Sequence, residues 1–525
     1  MVKYVLAKDE IRVRFPYSAQ KENVLQFSMK INIDKIPKEV LSICKKLEDS
    51  NFEAWIVGGS VRDLLLDKAP KDWDITTNAK PDEILSLFSR AFYENAYGTV
   101  GVVPYETDAE LENTAEALKV IEITPFRGEG IYTDGRRPDE VIFGVSLDED
   151  LKRRDFTINA IAYNPIKDII KDNHEGLKDI ESSTLRTVGN PDERFAEDSL
   201  RLLRAIRIST QLGFFISPET LDSIIKNKEG MQRVSCERVR DELIKLLMTD
   251  VPMLGFLTLE YTGLLAYIIP ELRLGIGMTQ TKAHSFDVWG HLLRSMQTAA
   301  DKNWDLDMRM AALLHDIAKP HTARWVKATN QNSFHGHEVV GEKVSREILS
   351  RLKFPQKQID KVSKLIRWHM FFSDPDQITL SAVRRMVANV SRENIWDLMN
   401  LRVCDRVGSG RPKEDPYRLR KYHAMIEEAM KDPINVSMLK IDGKKLMEAL
   451  NEKPGPKIGL VLNALMAEVF ENPEINTEEA LVSYATNLIK LDIKELKKLA
   501  EKGKLEKDKK EIAEVQKINA KYKVQ

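Results

Sequence analysis

Cysteine is nearly missing from this chain: Cys44, Cys236 and Cys404 are its only three, and they lie far apart. They can form neither a disulfide framework nor a thiolate metal cluster. Disulfide-stapled secreted folds are therefore excluded, and a reducing, cytoplasmic compartment is expected. No apolar run approaches the length of a bilayer span, and the opening MVKYVLAKDEIRVRFPYS has no signal-peptide core, so no membrane partner is expected. Strong charge of one sign is also missing. The net charge is −1, so a nucleic-acid partner would have to be met by local basic surfaces. Such stretches exist in KRRD at 152–155, in the arginines of RLLRAIR and in the lysine-rich end from Lys494 onward.

A chain of 525 residues exceeds what one hydrophobic core can serve, and several domains are expected. Residues 1–34 alternate weakly and read as an N-terminal extension, a hairpin or an added edge strand. Residues 35–180 mix helical and strand patterns, with PKEVLSICKKLEDSN as a helix and AWIVGG, WDITT, GTVGVVPY and ALKVIEITPF as strands. Helical patterns then dominate residues 181–265, 266–430 and 431–525, and the charged terminus either frays or forms a solvated helix.

Three constellations could carry chemistry. In the first, Gly58 and Gly59 end a strand, and Ser60 and Arg62 fall in the turn of helix that follows. Glycines let a phosphate approach the backbone, and helix N-terminal amides favour an anion, although the spacing fits neither a dinucleotide fingerprint nor a Walker loop. Asp72 and Asp74 follow in KDWDITT. Two positions apart on a strand, they share a face, with Trp73 on the buried side. Adjacent carboxylates call for a cation or for solvent, so the pair fits either a magnesium site or a wet strand end. Glu122 in VIEIT is a possible third carboxylate.

The second constellation is KRRDF, with Arg153, Arg154 and Asp155, followed by EDSLRLLRAIRI. The latter spaces Glu197, Asp198, Arg201, Arg204 and Arg207 as a drifting stripe on one helix. Asp198 could pair locally with Arg201, but three arginines exceed what one acid balances, which points to an anionic ligand. The third is histidine-rich: His291, the pair His315–Asp316, His337, His369 and Asp405, all in helical patterns. Packed histidines with hydrogen-bond partners and a divalent metal site both fit that composition.

Several of these stretches resemble, in order, the motifs of the bacterial-type (class II) tRNA nucleotidyltransferases, the CCA-adding enzymes, a class shared with bacterial poly(A) polymerases. The matching runs are VGGSVRDLLLDKAPKDWDITTNAKP, FRGEGIYTDGRRPDEVIF, LKRRDFTINAIAYNP, GLKDIESSTLRTVGNPDERFAEDSLRLLRAIRI and the later PGPKIG. The resemblance is strong over about residues 45–270 and weaker beyond. It implies an α+β fold: a polymerase-beta-like, mixed-sheet nucleotidyltransferase head at 35–180 and an all-helical neck at 181–265. An HD-type metal phosphohydrolase body at 266–430 and a tRNA-contacting tail at 431–525 would follow.

Carried over by residue, the resemblance implies that Asp72 and Asp74 hold two catalytic Mg²⁺ ions. Gly59 and Arg62 would contact the triphosphate, and Arg154 the incoming nucleotide. Asp198 and Arg201 would read the edges of cytosine and adenine, with Arg204 and Arg207 in support and Glu197 steadying the helix. The 3′-hydroxyl of the tRNA acceptor arm would attack the α-phosphorus of CTP or ATP, one ion activating the hydroxyl and the other supporting pyrophosphate. The run YTDGRRPDEV at 132–141 matches the family's flexible loop, which favours an enzyme able to add the final A. In the HD region the resemblance makes His291, His315, Asp316 and Asp405 ligands of a further divalent metal, with His337 and His369 possible ligands of a second. The rival readings are an A-adding enzyme, a poly(A) polymerase, and an RNA-binding factor with an inert transferase domain.

Overall fold

Apolar runs too short for helices build a sheet, and the computed structural model shows its order. The residues described are 30–94, 98–105, 118–129, 141–280, 285–371, 379–411, 413–430, 439–471 and 473–524. Strands β1 (Trp55–Val57), β2 (Asp74–Thr77), β3 (Ala91–Tyr93), β4 (Val100–Val102) and β5 (Ile121–Pro125) come first in the chain. β6 (Arg127–Glu129) and β7 (Val141–Phe143) pair apart from the sheet, and β8 (Ile161–Asn164) and β9 (Ile169–Asp172) complete it. The seven strands lie in the order β3-β4-β5-β2-β1-β8-β9. Only β2 and β5 run parallel; the other neighbours are antiparallel, so this is a mixed sheet.

The pleat sorts the residues of these strands. On β5, Ile121 and Ile123 are buried while Glu122 between them is exposed. The helix Lys38–Asp49 buries Val40, Ile43, Cys44 and Leu47, the i, i+3, i+4, i+7 face that the sequence pattern predicts. On β5 one face is thus apolar and the other open enough to carry a carboxylate, whereas β1, β4 and β8 are buried on both faces.

The chain divides into two compact units, residues 1–363 and 364–525. The first carries the sheet and the helical segments after it, including Pro191–Glu197, Leu200–Leu212, Cys236–Leu247, Val288–Asp301, Leu306–Leu314 and His337–Arg351. The named elements of the second unit are all helical, from Leu380–Val390 to Ile493–Tyr522. Leu446, Val461, Leu465, Leu481 and Leu496 meet in one of its cores. The charged terminus does not fray: Ile493–Tyr522 is a single helix of 30 residues, and it is packed rather than wholly solvated, with Leu496, Ala500 and Ile518 buried.

A buried ionic brace joins the sheet region to the helices of the first unit. Arg204 donates through Nε and Nη2 to Asp155 Oδ2, at 3.0 and 2.7 Å, and through Nη1 to Glu242 at 3.3 Å. Arg207 Nε donates to the other Glu242 oxygen at 2.8 Å. Burial acts to raise the Asp155 pKa, but Arg204 outweighs it and holds the carboxyl at about 2. Arg204, desolvated yet faced by two carboxylates, is shifted upward.

Removing one member of such a network strands a buried charge, so Glu242→Gln is expected to lower the unfolding free energy by about 3 kcal/mol in denaturant titration. A depressed carboxyl stabilises above its unfolded value. The Asp155 contribution, of order 2 kcal/mol, is thus present above about pH 4 and lost as pH falls toward 2, with Asp155→Asn insensitive in that window.

Candidate active site and metal centre

The strand register assembles the carboxylates. Asp74, first residue of β2, lies opposite Val57 on one side and Glu122 of β5 on the other. Asp72 sits two residues ahead of it, exposed and just outside the strand, and Trp73 between them is buried at 4% exposure. Burial, then the Asp72 charge, pushes the Asp74 carboxyl up to about 7; Arg154 offsets part of this, and Glu122 adds to it. Partial desolvation by the surrounding protein also raises the exposed Glu122, with Glu94 and Asp72 adding to the effect. Carboxylates that raise one another's pKa in this way favour a small divalent cation beside them, and Mg²⁺ suits oxygen donors of this kind. The β2–β5 register brings Glu122, a possible third carboxylate from the sequence, opposite Asp74.

The glycine turn lies against this set. Gly58 has φ +77°, and a Cβ there would stand 3.3 Å from both Arg154 Nη1 and Asp74 Oδ2. Glycine is required here by conformation and by space. Gly59 begins the helix Gly59–Leu65. The Arg62 guanidinium is held by Asn159 Oδ1 at 2.8 Å and by Asp63 Oδ1 at 2.7 Å. Arg153 and Arg154 both donate to Asp150, which is fully buried. The buried Arg154 Nε has no acceptor among the described residues, so this guanidinium keeps donor capacity beside the carboxylates. Of the run at 132–141, residues 132–140 lie outside the described residues.

The arginine stripe differs from its sequence expectation. Asp198 is not helical: it is extended, φ −147° and ψ 103°, and separates the helices Pro191–Glu197 and Leu200–Leu212. The local pair with Arg201 does not form. Asp198 instead receives two hydrogen bonds from Arg238, at 3.1 and 2.7 Å, while Arg201 donates to Glu197 and to the Arg194 carbonyl. The excess positive charge of Arg204 and Arg207 is met by Asp155 and Glu242, far away in sequence. Arg238 and Glu242 were not singled out by sequence reasoning; their i, i+4 spacing on the helix Cys236–Leu247 looks like an ordinary local pair.

A second cluster lies further along the first unit. His291 Nε2 and His315 Nε2 are 3.0 Å apart, and Asp316 Oδ2 is 3.1 and 3.4 Å from them. Asp316 Oδ1 faces His337 Nε2 at 3.1 Å, and Lys319 Nζ reaches Oδ2 at 2.5 Å. The Nδ1 atoms of His315 and His337 lie 2.9 and 2.6 Å from the carbonyls of Ala312 and Phe334. A carbonyl only accepts, so each Nδ1 carries a proton and each Nε2 is the ring atom turned toward Asp316. Fixing the ring in this way is the usual outer support of a metal ligand. Burial works to raise Asp316, but Lys319 and His315 outweigh it and hold the carboxyl well below its ordinary value. These His and Asp donors fit a divalent metal. Asp405 and His369 belong to the second unit; both are buried, and His369 Nδ1 meets the Ile366 carbonyl at 2.7 Å.

Fold and site together define a nucleotidyltransferase head in one chain with an HD metal domain. The family model of the poly A polymerase head domain matches residues 54–186. That of the probable RNA and SrmB-binding site of polymerase A matches 213–274, and that of the HD domain 288–392. The CCA-adding enzyme of Levilactobacillus brevis is 31% identical over 470 residues, 87% of this chain and all of the relative. The A-adding tRNA nucleotidyltransferase of Deinococcus radiodurans is 32% identical over 81% of this chain and 93% of its own. The crystal structure of the Bacillus stearothermophilus CCA-adding enzyme in complex with CTP superposes with a TM-score of 0.54 at 26% identity, covering 86% of this chain and 96% of that one. The chain belongs to the bacterial-type family of CCA-adding enzymes and poly(A) polymerases, as an HD-domain member.

A cation bound at Asp74 must displace the proton that its raised pKa retains. Mg²⁺ affinity, measured by calorimetry, is therefore expected to fall about tenfold per pH unit below pH 7 and to level off above it, and Asp74→Asn should abolish this slope. For the histidine cluster, His315→Ala is expected to lower the divalent metal content by elemental analysis; unchanged occupancy would rule the cluster out as a metal centre.

Proposed function

We propose that the protein completes the 3′ end of tRNA, adding C, C and A in turn from CTP and ATP without a nucleic-acid template. The observation that carries this reading is the register placing Asp74 beside Glu122, with Arg154 against the same glycine turn, in a chain of this family. Asp72 and Asp74 would hold Mg²⁺, which lowers the pKa of an attacking hydroxyl and screens phosphate charge when bound. The tRNA 3′-oxygen forms the new bond to the α-phosphorus, and the bond to pyrophosphate breaks. Arg154 donates to the nucleotide phosphates, and Arg62 and Gly59 line the triphosphate side, Arg62 in exchange for its bonds to Asp63 and Asn159.

Base selection falls to Asp198 and Arg201. Cytosine and adenine both present an amino donor beside a ring-nitrogen acceptor, so one carboxylate and one guanidinium can read either. Uracil and guanine present a carbonyl where the amino group would be, which a carboxylate repels. Reading requires Asp198 to exchange Arg238, and Arg201 to turn from Glu197, for the base. Arg204 and Arg207 support the reader through the brace to Asp155 and Glu242.

We assign the cluster of His291, His315 and Asp316 to a further divalent metal, with Asp405 as a ligand and His337 and His369 as ligands of a possible second ion. Asp405 and His369 are assigned on the resemblance alone. On the same resemblance, we propose metal-dependent hydrolysis of phosphoesters as a further activity of that domain, with 2′,3′-cyclic phosphates as a candidate substrate class.

Unprocessed tRNA ending at the discriminator base, at C or at CC, with each nucleotide in turn, tests the transferase reading. Growth to CCA and no further is expected. Incorporation of A on the CC end alone would establish A-only addition, the activity for which the Deinococcus relative is named, and long A tails would establish a poly(A) polymerase. Asp72→Ala with Asp74→Ala should abolish addition. Asp198→Ala should reduce it and let UTP and GTP compete.

A further inference from the structure

The second unit carries an open surface pocket of about 510 Å³ lined by Trp396, Glu427, Met430, Lys521 and Tyr522. That volume falls in the range of small-ligand sites, roughly 300–1,000 Å³. Three helices supply its walls: Ile395–Gly408, Tyr417–Met430 and Ile493–Tyr522. Its aromatic members are fixed. His423 packs edge-on against Trp396, with ring centroids 5.8 Å apart, and tilts against Tyr522 at 5.6 Å. Arg420 Nε holds the Tyr522 carbonyl at 3.0 Å. The polar edge is also organised: Lys521 Nζ donates to Glu427 Oε2 at 2.7 Å and lies 5.0 Å from the Tyr522 ring centroid.

We propose that this pocket takes one unpaired base of an RNA, stacked against Trp396 and Tyr522, with Lys521 and Glu427 offering a donor and an acceptor at its edge. Aromatic faces accept any base, and a neighbouring cation serves the phosphate attached to it. The wall helix favours a polyanion: Ile493–Tyr522 holds ten lysines against six acidic residues. An apolar small molecule would gain nothing from Lys521, whereas an RNA strand uses both the rings and that cation. The inference rests on the tRNA reading above for the identity of the RNA, and it adds a holding point to the contact between tail and substrate.

The test uses the full chain and a tRNA transcript ending at the discriminator base, with affinity measured by filter binding and addition measured in parallel. Trp396→Ala is expected to weaken tRNA binding roughly tenfold or more. It should raise KM for tRNA by a similar factor and leave kcat and KM for CTP unchanged. Trp396→Phe, which keeps a ring, should recover most of the affinity. Lys521→Ala, at an exposed position, should weaken binding in the same direction without lowering the melting temperature. The proposal is overturned if Trp396→Ala binds tRNA as the parent does, or if Trp396→Phe loses as much as Trp396→Ala, the sign of a packing role only. A parent protein that binds tRNA through Trp396 but adds no nucleotide would sink the transferase reading and leave the pocket standing.

Discussion

Arg204 is the side chain on which the first unit turns. It reaches Asp155, the residue after Arg154, and Glu242 on the helix that also carries Arg238. Through these bonds one half-buried guanidinium ties the segment around Arg154 to the helix whose Arg238 holds Asp198. A planar donor with several N–H groups can serve two acids at once, which an ammonium could do only as a point charge. Desolvating these charges is expensive, and the network stays charged because each acid faces an arginine.

The two candidate metal centres solve opposite electrostatic problems. In the head, carboxylates repel one another and Asp74 retains a proton near neutrality. In the histidine cluster, Asp316 is surrounded by His291, His315, His337 and Lys319 and stays ionised. A hard, oxygen-seeking ion suits the first, and a metal with affinity for imidazole suits the second. The two candidate centres thus differ in ligand type within one polypeptide.

Much of the fold was legible because its signals are local. The helix at Lys38–Asp49 follows its apolar spacing, and β5 follows its alternation. The glycine turn and both aspartates could be named because strand and turn chemistry act over a few residues. The Glu122 position needed the pairing of β2 with β5, which no local spacing encodes. The break at Asp198 was hidden by a run of residues at helical intervals, and its reason is tertiary: Arg238 and the Leu200 amide hold the carboxylate outside the helix. The partners of Arg204 and Arg207 were invisible for the same reason, since Asp155 and Glu242 lie 49 and 38 residues from Arg204.

The extended backbone at Asp198 has an evolutionary consequence. A residue inside a helix answers to helix propensity, and changing it disturbs every turn that depends on it. Position 198 lies between two helices and is anchored by its side chain, so its substitution removes an ion pair and one amide contact and leaves both helices their own hydrogen bonds. The side chain at this point can therefore change while the scaffold around it stays folded.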